Sequence, residues 1–202
     1  MKSQMGKREL NKARKRAAII VIATRSFLER GYAATTMSAI AEELGGSKAT
    51  LWAHFCSKQE LLAAVIDQQV ETFSRDIDVV LTIKSFSLPA LRRVCVRYLE
   101  CLLSDSAIRL FRFVVAEGAR FPEIAEMFQA RGPAKIRMRI IEFYATRFSE
   151  PEARMLTSLT TATISGYRAE IVQRPIRPTK AEQDAFVDGL IELIASWADK
   201  RP

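Results

Sequence analysis

The chain has 202 residues, 49% of them apolar and 27% charged, and 31 Lys and Arg against 23 Asp and Glu give it a net charge of +8. This composition excludes a disordered chain, and without a run of about 18 uncharged apolar residues it also excludes a membrane-spanning helix. One His, no CxxC pair, and three cysteines at non-repeating spacings (Cys56, Cys95, Cys101) leave a zinc site short of ligands and a disulfide framework unpaired. A reducing cytoplasm is therefore the expected compartment, and neither a metal nor a cofactor is expected.

The first sixteen residues carry seven bases (Lys2, Lys7, Arg8, Lys12, Arg14, Lys15, Arg16) and one acid, Glu9. They show no apolar segment with a small-residue cleavage site, so no secretory signal is expected. Residues 1–60 hold eleven Lys and Arg against five acids, whereas residues 61–202 hold twenty against eighteen. Such a local excess attracts a polyanion, either nucleic-acid phosphate or an anionic membrane surface, and by charge alone it fits a solubilising tail equally well.

Helical spacing then dominates, and the chain is read as all-α with about nine helices. The first, from about Arg8 to Arg30, puts Ile19, Ile22, Ala23 and Phe27 on one face and ends at Gly31. The second starts after Thr35-Thr36, both competent N-caps, with Met37, Ile40, Ala41 and Leu44 at i, i+3, i+4 and i+7. Gly45-Gly46 breaks it. A third, two-turn helix begins at Ser47 and carries Leu51 and Phe55 inward, which leaves Lys48, Ala49, Trp52 and His54 facing out. The set Ser57-Lys58-Gln59-Glu60 is a capping box that opens a long connecting helix over residues 58–80.

The second half repeats this grammar. Ser87 with Pro89 opens a helix through Leu102, and Asp105 opens another that ends near Gly118. Pro122 starts a short helix stopped by Gly132-Pro133, and Ile136 to Tyr144 mark the next. Two further capping boxes, Ser149 to Glu152 and Thr179 to Glu182, open the last two helices. The expected division is residues 1–60 as a basic arm with the first three helices, and 61–202 as a larger helical domain.

The stretch TTMSAIAEELGGSKATLWAHFCSK, Thr35 to Lys58, is a helix, a glycine turn and a second short helix. Ala41 must be small where the second helix crosses it, and Gly45 allows a turn conformation that a side chain resists. A helix in a major groove presents its N-terminal residues to base edges, here Ser47, Lys48, Ala49 and Thr50. At Gly31-Tyr32, Thr35-Thr36, Ile40-Ala41, Gly45, Ser47, Thr50-Leu51-Trp52-Ala53-His54-Phe55 and Lys58, the chain resembles the TetR family of bacterial transcription regulators over residues 12–66. The segment Leu110 to Phe128 resembles a C-terminal domain of efflux-associated members.

The resemblance implies that Ser38, Ser47, Lys48, Ala49 and Thr50 contact bases, and that Thr36, Trp52, His54 and Lys58 contact phosphates. Each has an ordinary alternative: Thr36 and Ser47 cap helices in any protein, His54 can pack beside Phe55, Trp52 can be half-buried core, and Lys58 can be a solvated charge. Their shared register is what selects the DNA reading. Two departures stand out, because position 52 is usually Tyr in the family and Gly46 replaces a branched apolar residue. The resemblance further implies double-stranded operator DNA, a small-molecule inducer and a homodimer partner. The dimer is expected through the last two helices, with Thr160, Thr161, Ala162, Ser165 and Gly166 allowing close approach.

Candidate pocket residues are Phe73, Tyr98, Leu102, Phe111, Phe128, Met138, Phe143 and Tyr144, which at helical spacing fit plain core as well. The function expected is a ligand-responsive repressor released from a pseudo-palindromic operator by a small, mostly apolar molecule. Enzyme chemistry is not expected, since no nucleophile–base set, phosphate loop or carboxylate pair stands on a distinctive turn. The alternative is a basic helical protein that binds an anionic membrane surface or a protein partner. It leaves the Thr35–Lys58 register unexplained.

Overall fold

A computed structural model describes residues 2–45, 48–81 and 85–199, with side chains from Gly6 onward except at 72–74, 76 and 78–81. Among these residues there are ten helices and no strand. They are α1 (Lys2–Arg30), α2 (Met37–Glu43), α3 (Lys48–Trp52), α4 (Lys58–Leu81), α5 (Leu88–Leu102), α6 (Asp105–Gly118), α7 (Pro122–Arg131), α8 (Pro133–Ala145), α9 (Glu150–Gln173) and α10 (Lys180–Asp199). None of them is long and apolar enough to cross a membrane.

Local chemistry sets most boundaries. α1 starts earlier than its apolar spacing suggests, because the basic leader is built largely of Lys, Arg, Gln and Glu, which all favour helix. It ends where Gly31 takes φ +84° and donates its N–H to the Phe27 carbonyl at 3.0 Å. Ser87 caps α5 by accepting the Ala90 N–H at 3.2 Å. At α6 the capping hydroxyl belongs to Ser104, which accepts the Ala107 N–H at 3.3 Å, and Asp105 is the first helical residue. Pro133 both follows α7 and opens α8, since a first-turn proline lacks only an N–H that would have no helical partner. The boxes at Ser149–Glu152 and Thr179–Glu182 form as the sequence implies.

By packing, the chain forms two units: Met1–Gln69 with Arg109–Phe128, and Val70–Ile108 with Gln129–Pro202. A division at residue 60 is thus not where the contacts divide. The C-terminal part of α6 and most of α7 join the N-terminal unit, through Phe113 against Phe27 and Phe121 against Tyr32.

The second unit packs α5 against α9 and α10, and α8 against α9. Its core includes Leu91, Cys95, Leu99, Ile140, Tyr144, Leu156, Ile164 and Val187, nearly all without solvent exposure. Phe86, Phe143, Tyr144, Phe148 and Trp197 form an aromatic cluster with centroids 5.0–6.2 Å apart. Arg92 of α5 makes a two-point bond to Asp188 of α10, at 2.6 and 3.1 Å. All three cysteines are free thiols, with Cys95 and Cys101 buried and Cys56 exposed.

Candidate nucleic-acid interface

The helix-turn-helix is built outward from a few buried residues. Ile40, Ala41, Leu51 and Phe55 are essentially inaccessible, α1 packs on α2, and α2 packs on α3. The chain leaves α2 through Gly45, whose N–H donates to the Glu42 carbonyl at 3.0 Å and whose φ is +67°. A side chain built at Gly45 would meet nothing within 4 Å, so the position needs glycine for its backbone and not for space. After α3, the Ala53 and Phe55 N–H groups donate to the Ala49 and Leu51 carbonyls, which carries the chain to Phe55 in helical fashion.

The Thr35-Thr36 pair divides its work. Thr35 is buried, and its hydroxyl lies 3.0 Å from the Ser26 carbonyl and 2.8 Å from that of Gly31, tying the turn to α1. Thr36 is exposed and caps α2, with Oγ1 accepting the Ala39 N–H at 3.1 Å. The cap uses an oxygen lone pair and leaves the hydroxyl proton available to a phosphate. Arg25 and Arg30 of α1 both pair with Glu43, fixing the end of α2.

Ser38, Lys48, Ala49 and Trp52 are exposed, while Thr50, His54 and Lys58 are half-buried. Ser47 and Gly46 lie outside the described residues. Ser57 opens α4 by accepting the Glu60 N–H at 3.0 Å, and the Glu60 carboxylate reaches back one residue beyond the usual box to the Cys56 N–H, at 2.6 Å.

Lys58 is not a bare charge on a surface. Its Nζ stands 4.2 Å from the Tyr32 ring centroid and makes a long 3.5 Å bond to the Ala33 carbonyl. Burial lowers its pKa, against which Glu117 acts to raise it. Beneath it, Tyr32 donates its backbone N–H to Glu117 Oε1 at 3.0 Å, lies against Phe27 with centroids 5.8 Å apart, and meets Phe121 edge-on at 5.0 Å. Sequence reasoning missed Glu117 and Phe121, because nothing local ties residues 85 or more positions away to this turn. Burial, and then Lys12, Lys15 and Arg16 of α1, hold the His54 imidazole below its ordinary pKa, so the positive leader borders the end of α3.

The eight pocket candidates do not form one group. Tyr98, Leu102, Phe143 and Tyr144 are buried in the second unit, whereas Phe111 and Phe128 belong to the N-terminal unit. Met138 is 54% exposed and lines no core. An apolar residue at helical spacing can as well face solvent. The side chain of Phe73 lies outside the described residues. Tyr144 is tied into the core, its hydroxyl 2.8 Å from that of Thr160. Thr160 and Thr161 are likewise buried within the protomer, so neither offers a free surface for close approach by a second chain.

Residues 19–65 match the family model described as bacterial regulatory proteins of the tetR family. Residues 89–195, more than half the chain, match that of the AefR-like transcriptional repressor C-terminal domain. The HTH-type transcriptional activator FasR of Mycolicibacterium smegmatis is 30% identical over 92 residues, 46% of this chain and 42% of that protein. This chain therefore matches less than half the length of that curated relative. The flavonoid-responsive regulator FrrA superposes with a TM-score of 0.76 at 27% identity, over 91% of this chain and 96% of that one. A TetR-family regulator from Mesorhizobium loti has the same fold, with a TM-score of 0.78 at 24% identity over 92% and 96% of the two chains. With one family model on the reading head and another on most of the remaining chain, this protein belongs to the TetR family of DNA-binding transcriptional regulators.

Proposed function

We propose that the protein is a homodimeric repressor that binds a pseudo-palindromic operator and releases it when a small, mostly apolar molecule binds the second unit. One observation carries the DNA-reading part. α3 and the residues after it bury Leu51 and Phe55 completely, yet leave Lys48, Ala49 and Trp52 exposed on the other side. In this reading α3 lies in the major groove, with Lys48 donating to guanine O6 and N7, Ala49 or the Thr50 methyl packing on a thymine methyl, and Ser38 and Ser47 beside them. Thr36, Trp52, His54 and Lys58 hold the flanking phosphates and set the register. The Trp52 indole N–H serves as a donor where the family usually has a Tyr hydroxyl.

Support for the dimer comes from α9 and α10. Met155, Leu159, Ala162 and Gly166 follow one another at helical spacing on α9 and are all exposed, as are Gly189 and Leu193 on α10. Such a stripe on a helical body fits a four-helix contact with a second copy. For the ligand, FrrA is flavonoid-responsive by its name. A flat, part-apolar molecule suits the Tyr98, Leu102 and Phe143 side chains better than a small ion does. Ligand binding would tilt α4 and change the spacing of the two reading heads. A coupling of about 1–3 kcal/mol suffices to weaken operator affinity. The chemistry and the free thiols both suit work in the cytoplasm.

Selection of bound fragments from genomic DNA by the purified protein tests the reading. A recovered inverted repeat with two half-sites about one helical turn or somewhat more apart supports it. Indifference to duplex sequence would overturn it, and activation of the neighbouring transcript in place of repression would reverse its sign.

A further inference from the structure

Residues 6–18 of α1 are exposed throughout, precede the residues that match the family, and carry most of the leader's charge. At about 100° per residue, Arg8, Lys12 and Lys15 share the side of α1 that from one turn later bears Ile19, Ala23 and Phe27, with Arg16 at its edge. Those three apolar residues are fully buried. One side of a single helix is thus core at its C-terminal end and cationic at its N-terminal end. Lys7, Leu10, Arg14 and Val21 lie on the opposite side, and Leu10 and Val21 are exposed.

Two contacts show where the cationic side leads. The Arg16 guanidinium stands 4.9 Å from the ring centroid of Phe55, the residue that seats the end of α3. Lys12, Lys15 and Arg16 also lie close enough to His54 to oppose its protonation. The charged side of α1 and the end of the reading helix therefore form one continuous surface.

We propose that Arg8, Lys12, Lys15 and Arg16 form a rigid, helix-borne rail that binds the DNA phosphates flanking the base pairs read by α3. This rests on the DNA-binding reading and adds a contact outside the helix-turn-helix. A rise of 1.5 Å per residue puts Arg8 and Lys15 about 10 Å apart along the axis, long enough to reach two neighbouring phosphates of one DNA strand. The minor groove, about 6 Å wide, is too narrow for a helix about 10 Å across. As a helix the leader lies along the backbone and does not thread a groove. An anionic bilayer is the lesser match, because an interfacial helix needs a broad apolar face opposite its cations, and here Arg14 sits between Leu10 and Val21.

The test uses the full chain on its selected operator, with affinity measured by fluorescence anisotropy across a salt series. Lys12→Gln/Lys15→Gln and Lys7→Gln/Arg14→Gln remove equal charge from opposite sides of α1. The first is expected to weaken binding about tenfold or more at 0.1 M salt and to flatten the salt slope by about 0.9 for each phosphate no longer neutralised, with much smaller changes for the second. Ala13→Pro keeps every cation but breaks the helix within its exposed part, and is expected to weaken binding as much as the first. Equal weakening in the two charge-matched variants would mean diffuse attraction, and full affinity in Ala13→Pro would mean a flexible arm. Either overturns the rail while sequence-selective binding persists. Binding to phosphatidylserine vesicles that the first variant abolishes, with operator affinity intact, would assign the surface to membranes and overturn it as well. If the unaltered chain ignored every duplex, the DNA-binding reading itself would fall, and the rail with it.

Discussion

Glu117 Oε1 accepts the backbone N–H of Tyr32 at 3.0 Å, a bond that joins positions 85 residues apart. It ends at the residue whose ring lies beneath the Lys58 ammonium. Removing the carboxylate leaves the N–H of a nearly buried residue without its acceptor, which costs about 1–3 kcal/mol. Glu117→Ala is therefore expected to lower the urea midpoint of the N-terminal unit, whereas Glu117→Gln, which keeps an acceptor oxygen, recovers most of it. Equal destabilisation in both variants would mean that the charge, and not the bond, is what matters.

The two glycines at positive φ differ in kind. Gly45→Ala meets open space and carries only the left-handed backbone cost, about 1–2 kcal/mol. Gly31→Ala has the same backbone cost and also drives its methyl into the Glu117 carboxylate. It is expected to be the more damaging by urea unfolding, and the excess should shrink in a Glu117→Ala background, as double-mutant cycles report for groups in contact. An excess that persists there would place the second penalty elsewhere.

These contacts also mark the limit of what the sequence discloses. The reading head is legible because turn chemistry and apolar spacing are local: Gly45, Thr36 and the Leu51–Phe55 pair each sit within a few residues of what they control. The Ser149 and Thr179 boxes are legible for the same reason. Periodicity identifies an apolar face but not the neighbour that covers it. Hence nothing in Leu110–Phe128 announces that these residues pack with Phe27 and Tyr32, or that Arg92 meets Asp188. Met138 fails as a pocket candidate for a related reason: a single apolar side chain at the right spacing does not say whether its side of the helix is covered.

Lys58 and Lys48 should separate by type of effect. Lys58→Ala is expected to weaken operator and random duplex alike and to flatten the salt slope by about 1, as removal of a phosphate's cationic partner does. Lys48→Ala is expected to cost about 1–3 kcal/mol on the preferred operator and to relax the preference at one base pair, with little change in salt slope. Competition anisotropy with single-base operator variants reads both, and an inverted outcome would exchange their roles.

Alkaline pH should destabilise the second unit. Burial pushes the Cys95 thiol up from 9.0 to about 12, and pushes the Tyr98 and Tyr144 hydroxyls above their ordinary 10.0. These groups hold their protons more tightly when folded, so the unfolded chain ionises first. Their contribution is full below pH 9 and falls as pH rises from there towards the folded values. For Cys95 the slope is of order 1 kcal/mol per pH unit. Cys95→Ala is expected to flatten the decline of urea stability between pH 9 and 11, whatever it does to stability at pH 7. An unchanged slope would mean that the thiol is reached by water.

The exposed stripe on α9 and α10 gives the dimer a direct test. Leu193 is 72% exposed and Leu159 is 52% exposed, so a charge at either has little to disturb within one protomer. A side chain added at Gly166 or Gly189 would likewise meet nothing within 4 Å. In a four-helix contact between two copies, the same substitutions would put a buried charge or excess bulk at the centre. Leu193→Glu and Gly189→Leu are therefore expected to keep the helical circular dichroism of the unaltered chain, yet sediment as monomers at micromolar concentration. Operator affinity would fall with them, since two reading heads no longer bind as one. A Leu193→Glu protein that still sediments as a dimer would move the contact off these helices.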